Sequence, residues 1–296
     1  MLAPNAQNPL LTGPILPTLM RLSLPNMGAM VATSLVAIAE TSYVGILGTP
    51  ALAGLALVFP VVMLQQMMSG GAMGGGVSSS IARSLGAGEE ARARSLAVHA
   101  SIIGLSAGLV LALVVFVFAA DMFSALGGRG ASLAEAVSYA RVYAFAIVGV
   151  WLTNTLASVV RGAGNMKVPS ITIFVAAAMQ IVVGGALGLG LGPFPRFGMA
   201  GVAFGQVACF TGAASFLLWF LWTGRARVKF GLAGVELKGE LFYDILRVGA
   251  LACISPIQSV ATVLIVTRLV AHFGTEALAG YGIGARLEFL LIPISF

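Results

Sequence analysis

Charge is what this sequence has least of. Asp, Glu, Lys and Arg make up 9% of its 296 residues, where a soluble domain carries roughly 25%. So few charges cannot cover a water-facing surface, which excludes a large soluble domain. Cysteine and histidine are scarcer still, with two of each. Cys209 and Cys253 each lie in an apolar run without CxxC or any paired spacing, which excludes a cysteine-built metal site and leaves two structural thiols. His99 and His272 are isolated. There is no HExxH, no nucleophile elbow and no carboxylate pair at glycosidase spacing, so no catalytic residue, metal site or cofactor is assigned and the chain reads as a non-enzyme. The net charge of +6 is not gathered into a basic tract interleaved with aromatics, which excludes a nucleic-acid partner. The first 20 residues lack a basic start followed by a short apolar core and a cleavage site, so no removable signal peptide is expected. The Gly-rich SGGAMGGGVSSS at 69–80 lacks the GK[ST] ending of a phosphate loop and follows an apolar run, which excludes nucleotide binding.

What is present is apolar: 59% hydrophobic residues, 38 Gly and a mean hydropathy of +1.01. A helix crosses the hydrocarbon core with about 20 apolar residues. That ruler predicts spans near 20–46, 52–78, 95–120, 134–159, 168–192, 199–223, 245–271 and 278–296. Pro25, Pro60 and Pro256 fall where they can bend or loosen helices. The connections alternate in charge. Arg83, Arg92, Arg94, Arg161, Lys167, Arg225, Arg227, Lys229, Lys238 and Arg247 fall on one side, with Arg21 at the start of the first span; Arg129, Arg141, Arg196 and Arg268 fall on the other. The rich side, with the N-terminus, is expected in the cytoplasm of a cell inner membrane, and ARSLGAGEEARAR at 82–94 is expected to be a solvated cytoplasmic loop.

An internal repeat organises the spans. GTPALAG at 48–54 returns as GTEALAG at 274–280, and at the same offset of 226 Arg21 falls on Arg247 and Thr41 on Thr267. An even number of spans separates the copies, so both run in the same direction, as in parallel transporter repeats. The expected fold is an all-α polytopic membrane protein: a six-helix bundle followed by the first two helices of a second, parallel repeat. Doubling the period implies about 450 residues and twelve spans for a complete pair. Residues 1–20 then read as a cytoplasmic segment, 21–224 as the first lobe, 225–244 as a cytoplasmic linker and 245–296 as the start of the second lobe.

Two acids stand inside predicted spans, Glu40 in AIAETSYVG and Glu288 in GARLEFLL. An ionisable group in the bilayer costs about 2.5–3.5 kcal/mol on insertion scales, which makes function the default reading. Glu40 follows Arg21 by about 28 Å of helix, towards the outer end of the first span. It is read as a carboxylate facing a cavity that exchanges a proton or holds Na+ as cationic cargo leaves; the alternative is an interfacial acid reaching water. Glu288 lies two residues after Arg286, so a charge-compensated helix start competes with function there. Tyr43, Asn154, Gln180 and Gln258 are candidates to line the cavity, against interfacial anchoring for Tyr43 and inter-helix hydrogen bonds for the three amides.

AETSYVGILGTPALAG, ARSLGAGEEARAR, RGAGNMKVPS and GTEALAGYGIGARLEFLLIPISF, in this order and spacing, resemble the multidrug and toxic compound extrusion (MATE) family from about Arg21 to the end. The resemblance implies twelve helices in two lobes around a cleft, acting as a monomer in membrane lipid. It implies efflux of small organic cations or amphipathic compounds in exchange for H+ or Na+. Glu40 matches the position the family usually gives to Asp in the first span. Where the family often places Asn and, four residues on, Asp in span five, this chain has Gln180 and Gly184, so Glu40 is left as the main titrating site of the first lobe. The alternatives are a lipid-linked oligosaccharide flippase of the same superfamily and a non-transporting membrane subunit.

Overall fold

A computed structural model of the chain describes residues 14–228, 230–231 and 235–289. All regular structure among the described residues is helical, in eight helices: α1 (Ile15–Leu47), α2 (Thr49–Gly86), α3 (Glu90–Ala125), α4 (Gly130–Gly162), α5 (Lys167–Leu189), α6 (Gly198–Trp222), α7 (Gly239–Ala271) and α8 (Thr275–Phe289). Seven of them, α1 to α7, are long and apolar enough to cross a membrane. Most of the expected segment 1–20, the end of the eighth span, Lys229 and the side chains of Arg21 and Pro25 lie outside what is described.

The helices outrun the hydropathy ruler at the charged end. The stretch 82–94 is not a loop: α2 continues to Gly86 and α3 starts at Glu90, leaving a turn of three residues. Ala, Arg, Glu and Leu are good helix formers, and nothing stops the helix where the hydrocarbon ends. The expected linker is shortened the same way, because α7 starts at Gly239. Its first turns bury Leu241, Ile245 and Gly249, spaced by four on one face, and leave Tyr243 and Leu246 outside. Here α7 crosses α2 at close range: a Cβ on Gly76 would sit 2.7 Å from the Ile245 carbonyl oxygen. The crossing is tied by Arg92 of α3 to Asp244 and by the Ser80 hydroxyl donating to the Asp244 carbonyl at 3.2 Å. His99, fully buried, accepts the Lys238 N–H at Nε2 over 3.0 Å.

The α4 helix forms the centre, with 78% of its membrane window buried against 28% for α3. It packs on α2, α3 and α6, while α5 lies against α6 and α1 lies against α5. The α8 helix packs on α2. The Gly-rich stretch is neither loop nor ordinary helix but a π-helical turn, Met67–Met73, within α2 and downstream of Pro60. Such turns widen a helix by one residue and recur at functional sites. Likewise α7 is interrupted at Cys253, three residues before Pro256.

The duplicated motif has one structural job in both places. Gly48 and Gly274 take φ of +114° and +101°, a region that side chains rarely occupy, and each starts the next helix at the following Thr. Both turns sit at the same end of the bundle. Gly54 packs against Ser132 and Ala136 at the start of α4, and Ala271 packs against Gly127 just before it. The two copies therefore run in parallel.

One close approach decides where polar groups meet. On α6, a Cβ at Gly205 would lie 2.7 Å from Gly184 Cα on α5 and 3.1 Å from the Gln180 carbonyl oxygen. Gly205→Val is expected to force these helices apart and cost about 1–3 kcal/mol, read as a lower apparent Tm in detergent. Gly212→Val on the same helix meets only Met179 Cε at 4.0 Å and should leave Tm nearly unchanged.

Candidate functional site

The α5–α6 contact places Gln180 and Gln206 beside Glu40 of α1. Glu40 is only 5% exposed, and a bare carboxylate at such a position is costly. Its oxygens are accordingly engaged. Oε1 accepts Gln180 Nε2 and Gln206 Nε2, each at 3.1 Å, and the Tyr139 hydroxyl of α4 at 3.4 Å. Oε2 faces Arg286 Nη1 of α8 at 3.5 Å. Arg286 is itself 7% exposed, and the same Nη1 donates to Thr41 Oγ1 at 3.1 Å and to the Ala37 carbonyl at 3.4 Å. The guanidinium lies over the Phe59 ring, 5.2 Å from its centroid, and its Nε is buried without a hydrogen-bond partner.

A second polar layer belongs to the π-helical turn. Gln65 and Gln66, just before the turn, and Ser69, within it, face α4. The Trp151 indole N–H donates to Gln65 Oε1 at 2.7 Å, and Asn154 Nδ2 donates to Ser69 Oγ at 2.8 Å and to Gln66 Oε1 at 3.1 Å. A Cβ at Gly70 would stand 3.3 Å from the Asn154 amide. The absence of a side chain at Gly70 leaves the space that this amide occupies.

Both layers open on one cavity of about 200 Å³, lined by α1, α2, α4, α5, α6 and α8. Phe59, Met63 and Phe210 supply apolar wall, and Gln66, Asn154, Gln180 and Gln206 supply uncharged polar wall. Glu40 and Arg286 are the only charged residues lining it among those described. With both ionised the cavity carries no net charge, so the state of Glu40 sets its sign.

The structure brings four of the sequence candidates, Glu40, Asn154, Gln180 and Arg286, to this cavity. Tyr43 is buried behind Glu40, its ring against Gly184 and Gly185 and its hydroxyl without a hydrogen-bond partner, and it does not line the cavity. Gln258 and Glu288 are exposed and also stand outside it. Residues two apart on a helix diverge by about 200°, which is why Arg286 turns inward and Glu288 does not. Sequence reasoning passed over Tyr139, Gln65, Gln66 and Gln206. The signal was present for Gln206, an amide in the apolar run FGQVACF. Tyr139 carried no signal, because a tyrosine near a span end reads as an interfacial anchor.

Comparison with known proteins agrees with this architecture. The MatE family model matches residues 25–186. The chain is 27% identical over 292 residues to an FAD transporter of Shewanella oneidensis, covering 96% of this chain and 63% of that protein. It is 25% identical to the multidrug export protein MepA of Staphylococcus aureus, covering 93% and 60%. Among solved structures, the inward-facing conformation of a multidrug resistance MATE family transporter of the MOP superfamily superposes with a TM-score of 0.82 at 25% identity, over 93% of this chain and 62% of that one. The chain thus spans about three-fifths of the length of these relatives. With a matching family model over more than half its length and a superposable helical bundle, the chain belongs to the MatE family of membrane transporters.

Proposed function

We propose that the protein is a secondary active efflux transporter that exports organic cations or amphipathic compounds in exchange for H+ or Na+, with Glu40 as the ion-coupling carboxylate. The observation that carries this reading is the buried Glu40 itself, held in a cavity shared by the first helices and α8. Burying a charge is tolerated when it serves an ion or substrate path. Phe59, Met63 and Phe210 offer ring-stacking and apolar contact to a flat cargo, and the four amides offer adaptable hydrogen bonds.

Exchange follows from the sign of the cavity. When Glu40 is ionised it balances Arg286 and a cationic cargo meets a neutral wall; when an ion discharges Glu40, the Arg286 charge is left uncompensated, repels the cargo and favours its release. The cavity of about 200 Å³ is smaller than the ~300–1,000 Å³ usual for ligand pockets. Discharge of Glu40 weakens its tie to Arg286, and with it the contact between α1 and α8.

A lipid-linked oligosaccharide flippase needs cations free to receive pyrophosphate. The cavity's one described cation, Arg286, is already engaged by Glu40 and Thr41, so this alternative is less well supported. The Lys/Arg asymmetry between the two ends of the bundle supports a cytoplasmic N-terminus in the cell inner membrane, and a monomer is part of the same proposal.

Two outcomes are expected. In inverted vesicles carrying the full-length protein, Glu40→Gln should reduce cargo-driven H+ or Na+ movement to background while the protein remains in the membrane; unchanged ion movement would remove Glu40 from its role. For topology, Lys238→Cys and His272→Cys should react with an impermeant thiol reagent only from the cytoplasmic and only from the outer face respectively, since Cys209 and Cys253 are buried. Labelling of both from one face would refute the orientation.

A further inference from the structure

Neither the sequence nor the reading above chooses between H+ and Na+. We propose that Arg286 makes the Glu40 site specific for protons, as a tethered cation that occupies the oxygens a sodium ion would need. The inference rests on Glu40 being the coupling carboxylate.

A hard metal cation takes several oxygen ligands at once. The oxygens near Glu40 Oε2 are Thr41 Oγ1 and the Ala37 carbonyl, and Arg286 Nη1 stands within 3.1–3.5 Å of all three. Around Oε1 the neighbours are the amide N–H groups of Gln180 and Gln206 and the hydroxyl of Tyr139, which present hydrogens to the carboxylate. Two of the amide oxygens are already engaged: Gln66 Oε1 accepts from Asn154, and Gln180 Oε1 accepts from Cys209 Sγ at 3.7 Å. A sodium ion would have to displace a guanidinium that cannot diffuse off. A tethered group competes at an effective concentration of order millimolar or higher, and after displacement it would remain as a second positive charge in the same low-dielectric cavity.

A proton needs none of this. It requires one lone pair on Oε2, no coordination shell and no room. Protonation neutralises Glu40 where it stands and removes the counter-charge of Arg286, which keeps Thr41, Ala37 and the Phe59 ring as partners. The one charged tie between α1 and α8 among the described residues is then gone. The titratable or charged groups facing Glu40 are Tyr43 of α1, Tyr139 and Tyr143 of α4, Cys209 of α6 and Arg286 of α8; α2 and α5 face it with uncharged Gln66 and Gln180. Of these, Arg286 alone is a cation.

The duplicated frame supports the same division of labour. Thr267, the counterpart of Thr41, is fully buried and donates to the Val263 carbonyl as Thr41 donates to Ala37, but Val266 stands where Glu40 stands in the first copy. The first repeat supplies the acid and the second supplies the cation that guards it.

The test uses the full-length protein in proteoliposomes with the membrane potential clamped, following uptake of ethidium as cargo. A pH gradient in sodium-free buffer should drive the wild type, and a sodium gradient at equal pH should not. Arg286→Gln removes the tethered charge and adds an amide oxygen, so a sodium gradient should now drive uptake and the response to pH alone should fall; Arg286→Lys should keep the wild-type pattern. A wild type driven by sodium at fixed pH, or one that binds 22Na+ saturably in detergent, overturns the proposal while leaving the transport reading intact. An Arg286→Gln protein that stays proton-driven and indifferent to sodium also overturns it. If neither gradient drives uptake, the transport reading fails and this inference fails with it. Should Arg286→Gln not fold, the wild-type gradients and the 22Na+ measurement decide.

Discussion

A carboxylate buried in a membrane-embedded bundle must be met on every side by donors or by an opposite charge, and much of this structure can be traced to how Glu40 is met. Its demand is shared by four other helices. Tyr139 comes from α4, the most buried helix; Gln180 and Gln206 come from α5 and α6; Arg286 comes from α8. The amides converge because Gly184 and Gly205 let α5 and α6 come into backbone contact. Small residues serve close helix packing in lipid, and here that packing also fixes the reach of two polar side chains. Breaking such a buried pair by removing one partner typically costs about 3–5 kcal/mol, while replacing both can be nearly neutral. The pair thus joins α1 to α8 firmly and can be undone by discharging one side.

Much of this was legible beforehand, for physical reasons. Bilayer thickness imposes a length on apolar runs, so the seven membrane-length helices among the described residues could be read directly. The repeat was legible because the turn between the first two helices of each copy needs a glycine at positive φ followed by a helix start, which keeps GT-ALAG recognisable at Gly48 and Gly274. Helix ends at the charged face were not legible: Arg83, Arg92 and Asp244 look like loop residues to a hydropathy ruler, yet they sit on helices. The π-helical turn in α2 was hidden as well, since a Gly-rich stretch has no periodic signature of its own.

Within the site, single polar residues in apolar runs pointed to Glu40, Asn154 and Gln180, because burying such groups demands a reason. That rule says nothing about direction. Gln258 obeys it and is exposed, whereas Arg286 and Glu288 needed helical phase to be told apart. Tyr139 and Gln206 became identifiable only once α1, α4 and α6 were placed together. The asymmetry of the repeat emerges in the same way. The frame is duplicated, but Glu40 faces a cation contributed by the second copy, and Val266 holds the equivalent place there.

The most direct test of the account is a double-mutant cycle on thermal stability with Glu40→Gln, Arg286→Gln and the pair together. If the buried pair joins the two repeats as described, Arg286→Gln alone should be the least stable, and adding Glu40→Gln should restore much of the loss. Strictly additive single effects would mean that Glu40 and Arg286 do not sense one another, and would contradict the account at its centre.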